Sequence, residues 1–200
     1  EVAARNGHQV VLYTTIQQRA ATLKRHRRLT NKVPELPRLH AGVSITTDPA
    51  VIADACTLIL LTLSREYLSR VMESLSGALD GAHYLVHAVH TLEGAQLLRA
   101  SEIVRQFTCV KQTGVIAGPA HVSELLSGKP NAAVVGSPFP GVVAAVRSAL
   151  ASDTFRIDGD ADMKGVELAA ALGQVVAIAA GIADGAQMGA AAHATLVTRG

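Results

Sequence analysis

Residues 57–63 read TLILLTL, apolar at nearly every consecutive position. An alternating strand buries one face. A strand apolar on both faces needs cover on both, as in the middle of a parallel sheet. Parallel strands in turn need crossover helices, and the flanking sequence supplies them. Strand-like runs fall at 9–13, 43–46, 57–63, 84–89, 114–117 and 132–135. Helix-like runs fall at 16–29, 65–76, 93–104, 119–126 and 141–151. EVAARNGH (residues 1–8) reads as the end of a helix closing at Gly7. Strand–helix alternation predicts an α/β fold over residues 1–158, a mostly parallel sheet with helices on both faces.

After TFRID (154–158) the pattern changes. GVELAAALGQVVAIAAGIADG (165–185) is long, charge-poor and rich in Ala and Val. It predicts a helix, largely buried over 165–180, that begins a second, all-helical domain. The expected division is 1–158 and 159–200. The segment is nearly long enough to span a bilayer. Glu167, Gln174, the Ala-rich composition and the charged run DGDADMK before it argue for a soluble helix. The chain starts without Met and ends in ATLVTRG, inside or just after a helix, so it reads as a piece of a longer protein.

Of the 200 residues 49% are hydrophobic but only 3% aromatic, so the core must be built from Ala, Val, Leu and Ile. The net charge of +2 argues against a dedicated nucleic-acid surface. The basic run LKRHRR (23–28) has no interleaved aromatic residues to stack on bases and reads as a solvated helix face. Cys56 and Cys109 lie in apolar surroundings far apart in sequence, as buried free thiols of a reducing compartment would. The expected location is cytoplasmic.

Open α/β sheets bind ligands at the carboxyl ends of their strands. After the first strand-like run come Thr14 and Thr15, neither an acid nor an Arg, so the choice between NAD and NADP is not readable there. After YLVHAV come His90, Thr91, Leu92 and Glu93; after TGVIA come Gly118 and Pro119. Gly-Pro at a strand end is either an ordinary turn or a place where backbone approaches a ligand. His83, His87 and His90 have helical metal-ligand spacing, but the intervening sequence is strand-like. Alternation puts His83 and His87 on one face and His90 on the other, which removes the metal site. His83 and His87 then read as structural, and His90 as lying at the functional edge.

Several blocks together resemble the bacterial NAD(P)-dependent glycerol-3-phosphate dehydrogenase family. They are RNGHQVVLY, TLILLTLS, LVHAVHTLEG, IAGPAHVSELLSGKP, FRID and the 165–185 block with its continuation to LVTRG. The resemblance implies a Rossmann-like domain followed by the start of an all-helical C-terminal domain. The first strand and Gly-rich loop would lie before Glu1. It implies NAD or NADP as cofactor, a small-molecule phosphate substrate, no nucleic acid, no membrane span, a homodimer as one option, and a place in glycerophospholipid metabolism.

Carried over residue by residue, the resemblance also implies losses. The family's Lys that touches substrate and cofactor is His90 here. Its Gly-Pro-Ser, which touches substrate, is Gly118-Pro119-Ala120. A small residue near the cofactor is Val122. The proton-accepting Lys of Leu-Lys-Asn is Gly173, in Leu172-Gly173-Gln174. An Asn before the TRG motif is Ala191. Gly173 has no side chain and Gln174 is no base at neutral pH, so the resemblance implies a catalytically impaired family member or pseudoenzyme. The alternatives are a non-catalytic dinucleotide- or partner-binding protein on the same scaffold, and a dehydrogenase for another substrate using His90.

Overall fold

The computed structural model describes residues 1–28, 38–92 and 94–200. Helix α1 (Val2–Arg5) leads into β1 (Val10–Tyr13), α2 (Gln17–His26), β2 (Val43–Thr46), α3 (Pro49–Ala55) and β3 (Leu58–Leu61). A 3₁₀ turn at Arg65–Tyr67 precedes α4 (Leu68–Ser76) and β4 (Tyr84–His87). Then follow α5 (Ala100–Phe107), β5 (Gln112–Ala117), α6 (Val122–Leu126), β6 (Asn131–Gly136), α7 (Pro140–Leu150), β7 (Phe155–Asp160), α8 (Met163–Gly185) and α9 (Ala190–Arg199).

The strands form two sheets. β1 and β2 make a parallel pair; β3-β4-β5-β6-β7 make a second sheet in that order. All neighbours are parallel except β5 and β6. The expected mostly parallel α/β architecture is present, but the single sheet is corrected to two. They share a core: Val11 and Tyr13 of β1 pack against the cluster that holds Ile59 and Leu61 of β3. The Tyr13 hydroxyl donates to Ser74 Oγ of α4 at 3.0 Å.

Alternation along the strands sets the two faces. Leu85 of β4 joins the cluster under α4 and α5, while its neighbour Val86 joins Val142 and Val146 of α7 on the other side. β3 is covered on both faces, as its TLILLTL sequence requires: Ile59 and Leu61 face one way, Leu58 and Leu60 the other.

Local signals explain several boundaries. Asp48 caps α3 by accepting from Ala50 N at 2.9 Å, and Pro49 opens the helix where its missing N–H costs nothing. Asp162 caps α8 by accepting from Gly165 N at 2.8 Å. The helix expected over 93–104 begins only at Ala100, where the Glu102 carboxylate accepts from the Arg99 backbone N–H at 2.8 Å. Glu93, and Leu29 at the end of the expected first long helix, lie outside the described residues. The basic run behaves as a solvated face: Lys24 and Arg25 are exposed and Leu23 points inward. Arg27 donates to the carbonyls of His40 and Val43 at 2.6 and 2.9 Å.

Helix α8 corrects a second expectation. Residues 165–180 are helical as predicted, yet mostly not buried. Its first turns dock on β5 and β6: Met163 and Glu167 are buried, and a Cβ on Gly136 would meet Val166 at 2.9 Å. Farther along, Leu172, Val175, Ile178 and Ile182 are all more than half exposed. Ala180 and Ala183 are buried, and Val176 abuts Gly200 at the end of α9. A helix apolar all round has no stripe from which to read a buried side. By length and composition α8 is the one helix among the described residues that could cross a membrane. The thiols are also corrected: both are free, but Cys56 is only half-buried and Cys109 is exposed.

Candidate active site

The loops after β4 and β5 meet through His90. Its Nε2 lies 2.8 Å from the Ile116 carbonyl of β5. A carbonyl only accepts, so Nε2 carries a proton and donates it to Ile116. Two residues after Ile116 stands Gly118. A Cβ there would come within 2.7 Å of the Ala132 carbonyl and 2.8 Å of Ala133 Cα. The close approach that demands glycine is therefore to β6. Ala120 packs partly buried against the α7-side core. Val122 opens α6 and is 53% exposed.

His90, Gly118 and Ala120 thus gather at the carboxyl end of β5, with Val122 following. Gly173 sits on α8, six residues or about 9 Å of helix rise beyond Glu167. It is exposed, and a Cβ added to it would meet nothing within 4 Å. None of the other four lies within 4 Å of that Cβ position. Two cavities lie elsewhere. One of about 600 Å³ is lined by Asp184, Gln187, Gly189, Ala190 and His193. One of about 420 Å³ lies beside Ser69, Leu98 and Phe107.

The three histidines of the 83–90 segment have three different partners. His83 lies against the Asp80 carboxylate at 2.7 Å and the Ala53 carbonyl at 3.1 Å, a structural role as expected. His90 bonds Ile116. His87 faces Glu167 of α8, with Nε2 3.5 Å from Oε1. Glu167 is 2% exposed and well supplied with donors. Ser101 N–H and Oγ donate to it at 2.9 and 2.6 Å, and Arg99 Nη1 at 3.2 Å. Arg99 also pairs with Glu102 at 2.8 Å. Arg99's backbone N–H and guanidinium hold the Glu102 carboxyl below its ordinary range. Burial pushes the His87 imidazole below its usual 6.5, against the pull of the Glu167 carboxylate. The sequence pattern offered one clue to this cluster, a Glu inside an otherwise apolar helix.

An open α/β sheet with its polar loops at the carboxyl ends of parallel strands, followed by a long helix laid across the sheet, is the architecture of a dinucleotide-dependent dehydrogenase. The model of the NAD-dependent glycerol-3-phosphate dehydrogenase N-terminus matches residues 1–141, and that of its C-terminus matches 162–200. The chain belongs to the NAD-dependent glycerol-3-phosphate dehydrogenase family. It is 30% identical to the glycerol-3-phosphate dehydrogenase [NAD(P)+] of Halothermothrix orenii, over 98% of this chain and 57% of that protein. It is 32% identical to that of Beijerinckia indica, over all of this chain and 59% of that protein. The chain therefore spans less than two thirds of these relatives. The crystal structure of the Coxiella burnetii glycerol-3-phosphate dehydrogenase superposes with a TM-score of 0.82 at 24% identity, over 99% of this chain and 60% of that one. The Plasmodium falciparum enzyme superposes at 0.83 and 14% identity, over 97% and 57%. These two likenesses concern the fold.

Proposed function

We propose that this chain belongs to a glycerol-3-phosphate-dehydrogenase-like protein whose catalytic step is impaired. The family reaction is the NAD(P)-linked interconversion of glycerol 3-phosphate and dihydroxyacetone phosphate. Residues 1–158 form its Rossmann-like unit and 159–200 the start of its helical unit. The observation that carries the reading is Gly173, exposed on α8 with open space at its Cβ position. That space suits the long side chain the family places there, and this chain has none.

The residues fit a nicotinamide dinucleotide by the chemistry of their donors. Thr14 and Thr15 at the end of β1 offer hydroxyls of the kind that meet a ribose. His90 is held against β5 by Ile116, two residues before Gly118. When bound, the cofactor supplies hydride acceptance. The chain must then remove the proton of the substrate hydroxyl, and no side chain at 173 takes it. His90 does not replace a phosphate-binding lysine: its Nε2–H is committed to the Ile116 carbonyl. Ala120 offers no hydroxyl. We propose a cytoplasmic protein without a membrane span. Glu167, buried on α8 among Arg99, Ser101 and His87, favours that over a lipid-facing helix.

A dehydrogenase for another substrate using His90 is the second reading, favoured by the place of His90 against the end of β5, where its Nε2 is held by the Ile116 carbonyl. The test is NADH oxidation by the full-length protein with dihydroxyacetone phosphate. A positioned base contributes about 10²–10⁴-fold, so turnover at least a hundredfold below that of an active family member is expected. Turnover at an active member's rate would defeat the impairment and point to His90 or another residue as the base.

A further inference from the structure

We propose that His87 and Glu167 form an acid-sensitive clasp that holds the first turns of α8 on the sheet, and that protonation of His87 releases it. The inference does not depend on the dehydrogenase reading. Three observations meet at one place. His87 is 2% exposed, and neither of its ring nitrogens has a hydrogen-bond partner among the described residues. The one buried carboxylate of α8 lies 3.5 Å from its Nε2. That carboxylate already accepts from Ser101 N–H, Ser101 Oγ and Arg99 Nη1.

The charged groups around His87 decide the sign. Glu167 on α8 favours an imidazolium. Arg99, just before α5, and His90, in the loop after β4, oppose it. Glu102 and Lys164 stand one step farther out, beside Arg99 and each other. The flanking strands β3 and β5 present only Leu61 and Val115 in register with His87. On the far face α7 presents the apolar Val142 and Val146. A protonated ring would bring a second donor into a site where the Val89 backbone is the one further group that favours it, and burial outweighs that help. The ring's attraction to Glu167 is shared, because Arg99 and Ser101 already donate to that carboxylate. Desolvation then outweighs the pairing.

Docked α8 therefore selects neutral His87, and the undocked chain binds the proton more readily. Docking is at full strength above pH 6.5 and weakens as pH falls from there toward the depressed value of the docked state. Asp80 and Glu102, whose carboxyls are held below their ordinary range, lose their contribution only at still lower pH.

The experiment is amide hydrogen exchange of the full-length protein between pH 7.5 and 5, corrected for intrinsic exchange. The readout is protection of the α8 amides over 166–174. The expected opening constant rises by up to about tenfold per pH unit below 6.5, and the rise disappears in His87→Gln. Should His87→Gln not fold, the ring resonances of His87 in the unmodified protein serve instead. The ring should titrate below the ordinary 6.5 for as long as α8 is protected. An equal rise in His87→Gln overturns the clasp, as does a ring that titrates near 6.5 while α8 stays protected.

Discussion

Two glycines show how differently one residue type acts at the two ends of the candidate site. At Gly118 the backbone of β6 stands where a Cβ would go. Gly118→Ala must push β5 and β6 apart, and overpacking of this kind costs about 1–3 kcal/mol. At Gly173 nothing stands within 4 Å. Gly173→Ala should stabilise the helix by up to about 1 kcal/mol, since glycine is that much worse than alanine in a helix interior. Urea midpoints of the two variants should move in opposite directions. A stabilised Gly118→Ala would mean that the strand ends are looser than drawn here. The same open space means that Gly173→Lys folds, yet it should not restore turnover by itself. Position 90 still lacks the lysine and Ala120 still lacks the hydroxyl. Steady-state NADH oxidation checks this, with the pair His90→Lys and Gly173→Lys as the comparison. Full recovery by the single change would show that phosphate binding does not rest on residue 90.

At the scale of elements, α8 docks through one polar cluster and a few apolar contacts. Glu167→Ala leaves Arg99 and the Ser101 hydroxyl without their buried acceptor. Breaking a buried pair from one side costs about 3–5 kcal/mol. Because Arg99 is 16% exposed and keeps Glu102, the lower end is expected. Guanidinium unfolding together with loss of α8 amide protection would register it; an unchanged midpoint would mean that the cluster holds nothing. The sequence made the element types readable where periodicity was strong, as in TLILLTL. It hid α3, seven residues long, whose start is marked by Asp48-Pro49. It hid β7, whose FRIDGD is too polar to read as a strand. It also hid the antiparallel step between β5 and β6, because strand direction leaves no mark on composition. His90 and Gly118 were legible as strand-end residues, while the role of Gly173 rested on family resemblance. The partnership of His87 with Glu167 was not legible, since the two are 80 positions apart and only the docking of α8 on β5 and β6 unites them.

For the whole molecule, the arrangement of strands decides which residues a dinucleotide would meet. β1 is parallel to β2 and packs on the same core as β3, so its carboxyl end, Thr14 and Thr15, lies at a strand end of the kind that receives the adenosine ribose. An acid there would hold a free ribose diol, and an Arg would hold a 2′-phosphate. Two threonines do neither. Thr14 Oγ1 already accepts from Ile16 N–H at 3.3 Å, so its acceptor capacity is partly used. The basic run on α2 does not obviously substitute, because Arg27 is occupied by the His40 and Val43 carbonyls. A hydrogen bond to a charged group is worth about 1.5–3 kcal/mol, or roughly ten- to a hundredfold in affinity. With no such bond offered by Thr14 or Thr15, the full-length protein should bind NADH and NADPH within about tenfold of each other. Isothermal titration with each cofactor at fixed ionic strength measures the ratio, and Thr15→Arg should shift it toward NADPH by about tenfold or more. A preference beyond a hundredfold in the unmodified protein would sink the prediction. It would place a charged residue at the ribose beside Thr14 and Thr15.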